Sequence, residues 1–522
     1  MGSLHHSDGI WRDCLFFVVA ATIAFRFVLG ANGHTPLMWH DDLIWEYGGE
    51  YWYVQKLRGE GRWLIYYWRR VFDVGSGAFD LLISSAGWAG TAFMIGYYIF
   101  RGTRARPSAA LFAALLFSSP MFFSMMPWPH TMAPVMVISA ICAVLIYLTC
   151  DGKFAIGAWV AALTILMLTY QPMALTFACV GVLRVIAAKV QIGNVDEEAG
   201  ICTPPLEFMR ELVLAAALIA SALVIGFLVQ RTMQFLNFGI WELEIAEWRR
   251  GTATADLTSM SSFALVRYFI SSHMSAMRFW LSGLSALAGS VWIIAALVGI
   301  YQQRSLFTPK RVLVFAFAAT VLASMFLAAY AIPFLETVVL PYHAMLPSWL
   351  VLSFIGGLSL LTIQNPLIRR CVYVSLIAFV AGIAIKADGY ASRRFEERQA
   401  LESIVTVYAT QVLEAIERHE LDQPVVIGYG TPADVPDTMK REGALWLSAY
   451  LQRRLRGKVS AVRICNRQEN CSYISNKAAS VIGQSALKRK PEGERPRRVF
   501  VVGDEIILDF DAHLFASGTY SF

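Results

Sequence analysis

The order of apolar and polar residues along this chain repeats one pattern. Runs of roughly 17–22 apolar residues recur from Leu15 to Ala387, each long enough to cross about 30 Å of hydrocarbon. In lipid such a run has to be a helix, because only a helix satisfies its own backbone polar groups. The runs predict about eleven spans, near 14–31, 80–100, 108–126, 131–149, 153–170, 172–190, 212–232, 280–300, 312–331, 344–363 and 370–387. No cleavage pattern follows the first run, so it reads as a retained helix. No internal repeat and no inverted pair of broken helices stands out.

Beyond residue 390 the pattern changes. Residues 393–420 are charged, with apolar positions at helical spacing, and predict a helix leaving the membrane. Pro424–Gly430, Val459–Cys465, Val499–Val502 and Ile506–Phe510 read as strands, and 442–456 as a helix. The expected fold class is therefore an α-helical polytopic membrane protein, residues 1–390, with a C-terminal soluble α/β domain, residues 391–522. The Gly428-Tyr429-Gly430 turn is too short to mark a nucleotide loop.

Composition agrees. Of 522 residues, 57% are hydrophobic and only 16% charged, against about 25% charged in a soluble domain. The net charge of +6 does not point to nucleic acid, because much of it sits in short loops between the runs. Arg101, Arg104, Arg106, Lys153, Arg184, Lys189, Arg304, Lys310, Arg311, Arg369 and Arg370 all fall on one side if the spans alternate. The positive-inside rule makes that side the cytoplasm. The opposite side then receives loops near 32–79 and 233–279 and the tail. Six of the eight cysteines lie in or beside apolar runs and read as packing residues. Cys465 and Cys471 flank a polar turn, as a local disulfide or as two thiols.

The first loop carries the candidate chemistry. It holds Trp39-His40-Asp41-Asp42-Leu43-Ile44-Trp45-Glu46-Tyr47, then Gly61-Arg62-Trp63 and Tyr66-Tyr67-Trp68-Arg69-Arg70. Adjacent carboxylates repel, and burial near a membrane would favour the protonated form of one of them, which suits a general base. The plainer reading is a pair of solvated acids at a helix start. The basic residues of this loop break the positive-inside rule: either they hold an anion, or they belong to a solvated amphipathic helix at the headgroups.

Asp41-Asp42 after the first span, Gly61-Arg62 about twenty residues on, Ser119-Pro120-Met-Phe-Phe ending the third span and Thr169-Tyr170-Gln171-Pro172 between the fifth and sixth form a set. Together, over roughly residues 10–385, they resemble the GT-C class of polyprenyl-phosphate-sugar glycosyltransferases, and within it the GtrII-type O-antigen glucosyltransferases. The resemblance implies an inverting transfer of a hexose, glucose first, from undecaprenyl-phosphate glucose to an O-antigen repeat of lipopolysaccharide on the periplasmic face of a bacterial inner membrane. A donor synthase and a small flippase are the implied partners. Asp41 or Asp42 would be the base. Arg62 is the first candidate for the donor phosphate, because arginine binds phosphate oxygens in a two-point fork. Arg278, Arg267 and His343 follow, from outer loops. Glu46 and Glu50, at i+4 and i+8 from Asp42, with Tyr170, Gln171, His130, Tyr342 and Glu336, are candidates for sugar or acceptor.

Some GT-C enzymes use Mg or Mn held by carboxylates. The second loop offers only Glu242, Glu244, Glu247 and Asp256, without an acid-x-acid pair, so no obligatory metal or other cofactor is expected. Two other classes remain open: a transporter or flippase of lipid-linked sugars, and a non-catalytic glycan-assembly protein. A transporter should place charges midway through its spans. Here they gather towards the loops.

Overall fold

A computed structural model describes residues 57–72, 77–101, 106–125, 128–150, 152–195, 205–241, 277–302, 346–363, 365–429, 450–465 and 499–509, and in the stretch 261–271 only Ser261, Ala264, Arg267 and Ser271. The first and ninth expected spans, the pair Asp41-Asp42, and Glu46, Glu50, Glu336, Tyr342, His343 and Cys471 lie outside the described residues. Two compact units divide between Ala391 and Ser392.

The first unit is a helical bundle. A short helix, α1 (Trp63–Val71), precedes α2 (Gly77–Ile99), α3 (Arg106–Phe117), α4 (Pro120–Met125), α5 (Pro129–Thr149), α6 (Ala155–Thr169), α7 (Gln171–Val195) and α8 (Pro205–Phe238). After them come α9 (Leu284–Gln302), α10 (Leu346–Thr362) and α11 (Pro366–His419). Among the described residues six helices are long and apolar enough to span a bilayer: Phe79–Ile99, Ser108–Met125, Pro129–Thr149, Gln171–Ala188, Glu207–Phe238 and Pro366–Arg393. Ala155–Thr169, Leu284–Gly299 and Leu346–Thr362 are apolar but shorter. The surface is apolar as well: Leu214, Val224, Leu228 and Leu236 on α8 are exposed. In water such a face would be a liability; in lipid it is the outside of the molecule. This is a multi-pass membrane protein.

α2 and α5 run side by side in the same direction. Asp80 opens α2 and meets His130 at the start of α5. At the other end Arg101, after α2, reaches Cys150, after α5, and Arg184 donates to the Ile99 carbonyl.

Close approach and hydrogen bonding explain the packing. Gly87 lets α2 lie directly on α5: a Cβ there would sit 2.7 Å from the Met136 carbonyl carbon. Small residues at helix contacts are the usual device in membranes, where apolar side chains gain nothing from leaving lipid. Hydroxyls inside the helices bond back to carbonyls four residues earlier, as Thr91 to Gly87, Ser139 to Val135 and Ser353 to Trp349. Pro120 breaks the span Ser108–Met125, since it has no N–H to give. The Leu115 and Phe117 carbonyls then take buried indole donors, from Trp349 Nε1 at 2.7 Å and Trp88 Nε1 at 3.2 Å.

The second unit is built on a four-stranded sheet of β1 (Val425–Tyr429), β2 (Ala461–Cys465), β3 (Val499–Val502) and β4 (Glu505–Asp509), in the order β2-β1-β4-β3. β1 pairs parallel with β2 and β4, and β3–β4 is an antiparallel hairpin. Val405, Tyr408 and Val412 of α11 bury against Val426, Ile506 and Leu508. The expected strands are thus present. Of the expected 442–456 helix, the described part is helical over residues 450–454.

Replacing Gly87 by Ala should force α2 and α5 apart and cost about 1–3 kcal/mol, as overpacking does. Gly157→Ala is the control, since a Cβ there meets nothing within 4 Å. Thermal melts of the two variants in detergent should differ, with Gly87→Ala melting lower; equal melting temperatures would refute the close approach.

Candidate functional site

One end of the bundle is covered by the segment 57–72, and this segment is polar where the helices beneath it are not. Its first turn closes with Gly61 N–H donating to the Leu57 carbonyl at 2.9 Å. Gly61 has φ +63°, and a Cβ on it would lie 2.7 Å from Gln230 Nε2. Both the backbone angle and the space therefore call for glycine. Gln230 donates to the Gly61 carbonyl at 3.1 Å, and Gln234, one turn on, donates to the Arg58 carbonyl at 2.8 Å. Two glutamines on one face of α8 thus pin the turn. An apolar anchor completes the docking: Trp63 is buried with Leu57 and Leu168 and stacks on Phe238 at 5.6 Å.

Arg62 stands at the start of α1, immediately after this turn. Its Nη1 lies 3.0 Å from Glu60 Oε2. Its guanidinium carbon sits 4.8 Å from the centre of the Tyr170 ring. Gln171 Nε2 donates to the Glu60 carbonyl at 2.6 Å. Tyr170 occupies a one-residue break: its N–H closes α6 on Leu166, and its carbonyl starts α7 through Met173. Pro172 fits the first turn of α7, where an N–H has no helical partner in any case. The break turns Tyr170 and Gln171 towards the 57–62 turn. The result is a guanidinium laid on an aromatic face with a carboxylate as counter-ion, an arrangement that fixes its orientation.

Two turns along α1 lies a second polar group. Asp80 Oδ2 is 2.5 Å from His130 Nδ1 and 3.3 Å from Arg69 Nη2. The side chains are 0% exposed for His130, 8% for Asp80 and 3% for Arg69. One carboxylate oxygen therefore ties α1, α2 and α5 together out of water. Charged groups held this far from solvent persist only when paired.

Of the residues expected from sequence, the structure brings Arg62, Tyr170 and Gln171 together. His130 is close to the same helix but sits in the buried cluster with Asp80. Arg278 is exposed in the turn before α9, and Arg267 is exposed too. Glu60, Asp80, Gln230 and Gln234 went unnoticed in the sequence reading. Asp80 had a signal, as a lone acid opening an apolar run. Gln230 and Gln234 had one as well, as an i, i+4 amide pair closing the long apolar run of that helix. Glu60 had none beyond proximity to Arg62. Among the described residues no three of His, Cys, Asp and Glu gather as metal ligands would.

Comparison with known proteins yields no match, whether among family models, curated proteins or solved structures.

Asp80→Asn should strip Arg69 of its buried counter-ion and cost about 3–5 kcal/mol, the usual loss when one partner of a buried pair is removed. The double change Arg69→Met with Asp80→Leu should cost less than Asp80→Asn alone. Melting of detergent-purified protein measures both; an Asp80→Asn protein as stable as the parent would show that the pair carries no load.

Proposed function

We propose that the chain is a GT-C-like glycosyltransferase that moves a hexose, glucose first, from a polyprenyl phosphate to a surface glycan such as O-antigen, on the periplasmic face of a bacterial inner membrane. The observation that supports this best is the gathering of Arg62, Glu60, Tyr170 and Gln171 at one end of the bundle. A polyprenyl-phosphate sugar has its tail in the bilayer, so its phosphate and anomeric carbon stay at the height where a span meets water. A cation oriented at a bundle end suits that constraint.

The reaction this implies is a single displacement. Asp41 or Asp42 takes the proton of an acceptor hydroxyl, whose oxygen attacks the anomeric carbon. The bond from that carbon to the phosphate oxygen breaks, and polyprenyl phosphate leaves with the electron pair. The leaving group is an anion, so it needs cations more than an acid. In this reading Arg62 exchanges Glu60 for the donor phosphate while the Tyr170 ring holds the guanidinium plane. Gln171 and Tyr170 then stand beside the sugar. Arg278, Arg267 and His343 remain further candidates for the phosphate, and Tyr342, Glu46 and Glu336 for sugar or acceptor; His130, buried against Asp80, is no longer one.

The full-length protein in proteoliposomes, given polyprenyl-phosphate hexoses and a lipid-linked glycan, tests the proposal by product mass. Asp41→Asn or Asp42→Asn should abolish transfer while the protein stays folded in the membrane. Full activity in each single variant would reject the base, and translocation of the donor without transfer would favour a flippase. Arg62→Lys should raise the donor KM about tenfold, equivalent to about 1.4 kcal/mol. Glu60→Gln, which removes the competing carboxylate, should lower it; a raised donor KM in Glu60→Gln would refute the exchange.

A further inference from the structure

Near its C-terminal end the span Pro366–Arg393 carries Lys386, half-buried in the bundle. An ionisable side chain within a span is costly to keep and calls for a role. Lys386 Nζ lies 5.2 Å from the centre of the Phe279 ring, in the turn before α9. Arg278, which precedes Phe279, is exposed. A helix and a turn, remote in the chain, thus each bring a cation to one aromatic residue. The setting is firmly built. Trp280 is buried, meets Phe279 edge-on at 5.2 Å, stacks on Phe123 of α4 at 6.2 Å and packs on Tyr390 of α11 at 5.8 Å. Lys386 and Tyr390, four residues apart, share a face of α11, whereas Asp388, two residues from Lys386, does not face it. Ser285 Oγ donates to the Trp280 carbonyl at 2.5 Å. The same serine marks where α11 crosses: a Cβ on Gly382 would sit 2.7 Å from its backbone nitrogen. Leu284 and Leu287 of α9 and Ile385 of α11 are exposed, as lipid-facing side chains are.

We infer that Lys386 and Arg278 form a binding site for the phosphate of an anionic phospholipid, with Phe279 at headgroup depth and Leu284, Leu287 and Ile385 against the acyl chains. Charge complementarity selects the headgroup: phosphate oxygens accept from an ammonium as a point charge and from a guanidinium as a fork. An anion between the two cations also offsets their mutual repulsion. The exposed apolar side chains of both helices select a lipid over free phosphate. Aromatic side chains are at their best where chains give way to headgroups. The inference goes beyond the transferase reading, in which Arg278 is a further candidate for the donor phosphate and Lys386 has no part.

Photocrosslinking in the full-length protein tests it. The photoreactive residue p-benzoylphenylalanine is placed at Leu284, beside the site, or at Val374, exposed midway along the same span of α11. The variants are reconstituted in mixed phosphatidylcholine and phosphatidylglycerol vesicles, and adducts are read by mass. Position 284 should yield phosphatidylglycerol adducts enriched at least about threefold over the lipid's share of the vesicle, and position 374 adducts in proportion to that share. Lys386→Gln and Arg278→Gln should each cut the enrichment at position 284 at least about twofold and leave adduct formation itself intact. Lys386→Arg, which keeps the charge, should retain it. No enrichment at position 284, or the same enrichment at position 374, would overturn the site. Enrichment unchanged in either glutamine variant would overturn the pairing of the two cations. Enrichment lost on adding a polyprenyl phosphate would overturn the assignment to a phospholipid, since the site would then belong to the donor.

Discussion

A polar group inside this bundle has no water to turn to, and that single constraint organises the first unit. Backbone groups meet it by forming helices. Wherever a helix is interrupted, something else must supply the missing partner. At Pro120 two tryptophan indoles from α2 and α10 do so. At Tyr170 the same residue serves two helices at once, through its N–H and its carbonyl. Hydroxyls along the spans fold back on their own helices instead of reaching outward. Apolar contact alone would not position these helices, because lipid solvates leucine as well as a neighbour does. Directional bonds and the close approach at Gly87 therefore carry the specificity.

The same constraint explains why the functional candidates collect where they do. A segment that crosses the end of a membrane bundle must satisfy its turns without a sheet or a long helix. Segment 57–72 achieves this with Gln230 and Gln234 from α8 and Gln171 from α7, each donating to one of its carbonyls. Once held, it presents Arg62 to an acid and an aromatic ring, while Arg70 is exposed and donates to the Tyr66 hydroxyl. Arg69 lies between them and is the fastening. Three arginines within nine residues thus have three different environments, and composition does not distinguish them.

The sheet of the second unit is assembled by parallel pairing around β1 and by burial of the α11 face that carries Val405, Tyr408 and Val412. Its core is that of an ordinary α/β layer, with the alternation of strand residues and the helical spacing of α11 agreeing on which faces turn inward.

By itself the sequence determined the helical membrane character, the approximate place of the described apolar helices, the break at Tyr170-Gln171 and the strands of the tail. All of these follow from local periodicity and from residues such as Pro120 and Pro172 that act on their own backbone. The tertiary structure alone decided which polar residues meet. His130 looked like a loop residue open to a ligand, and Asp80 like the margin of a span; a carboxylate shared across three helices makes them one buried group with Arg69. Glu60 and Arg62 were neighbours in the chain, but only the turn pinned by Gln230 brings that pair over Tyr170. Pairing of this kind depends on distances between segments far apart in the chain, 169 residues from Gly61 to Gln230 and 234 from Leu115 to Trp349, and periodicity carries no information at that range.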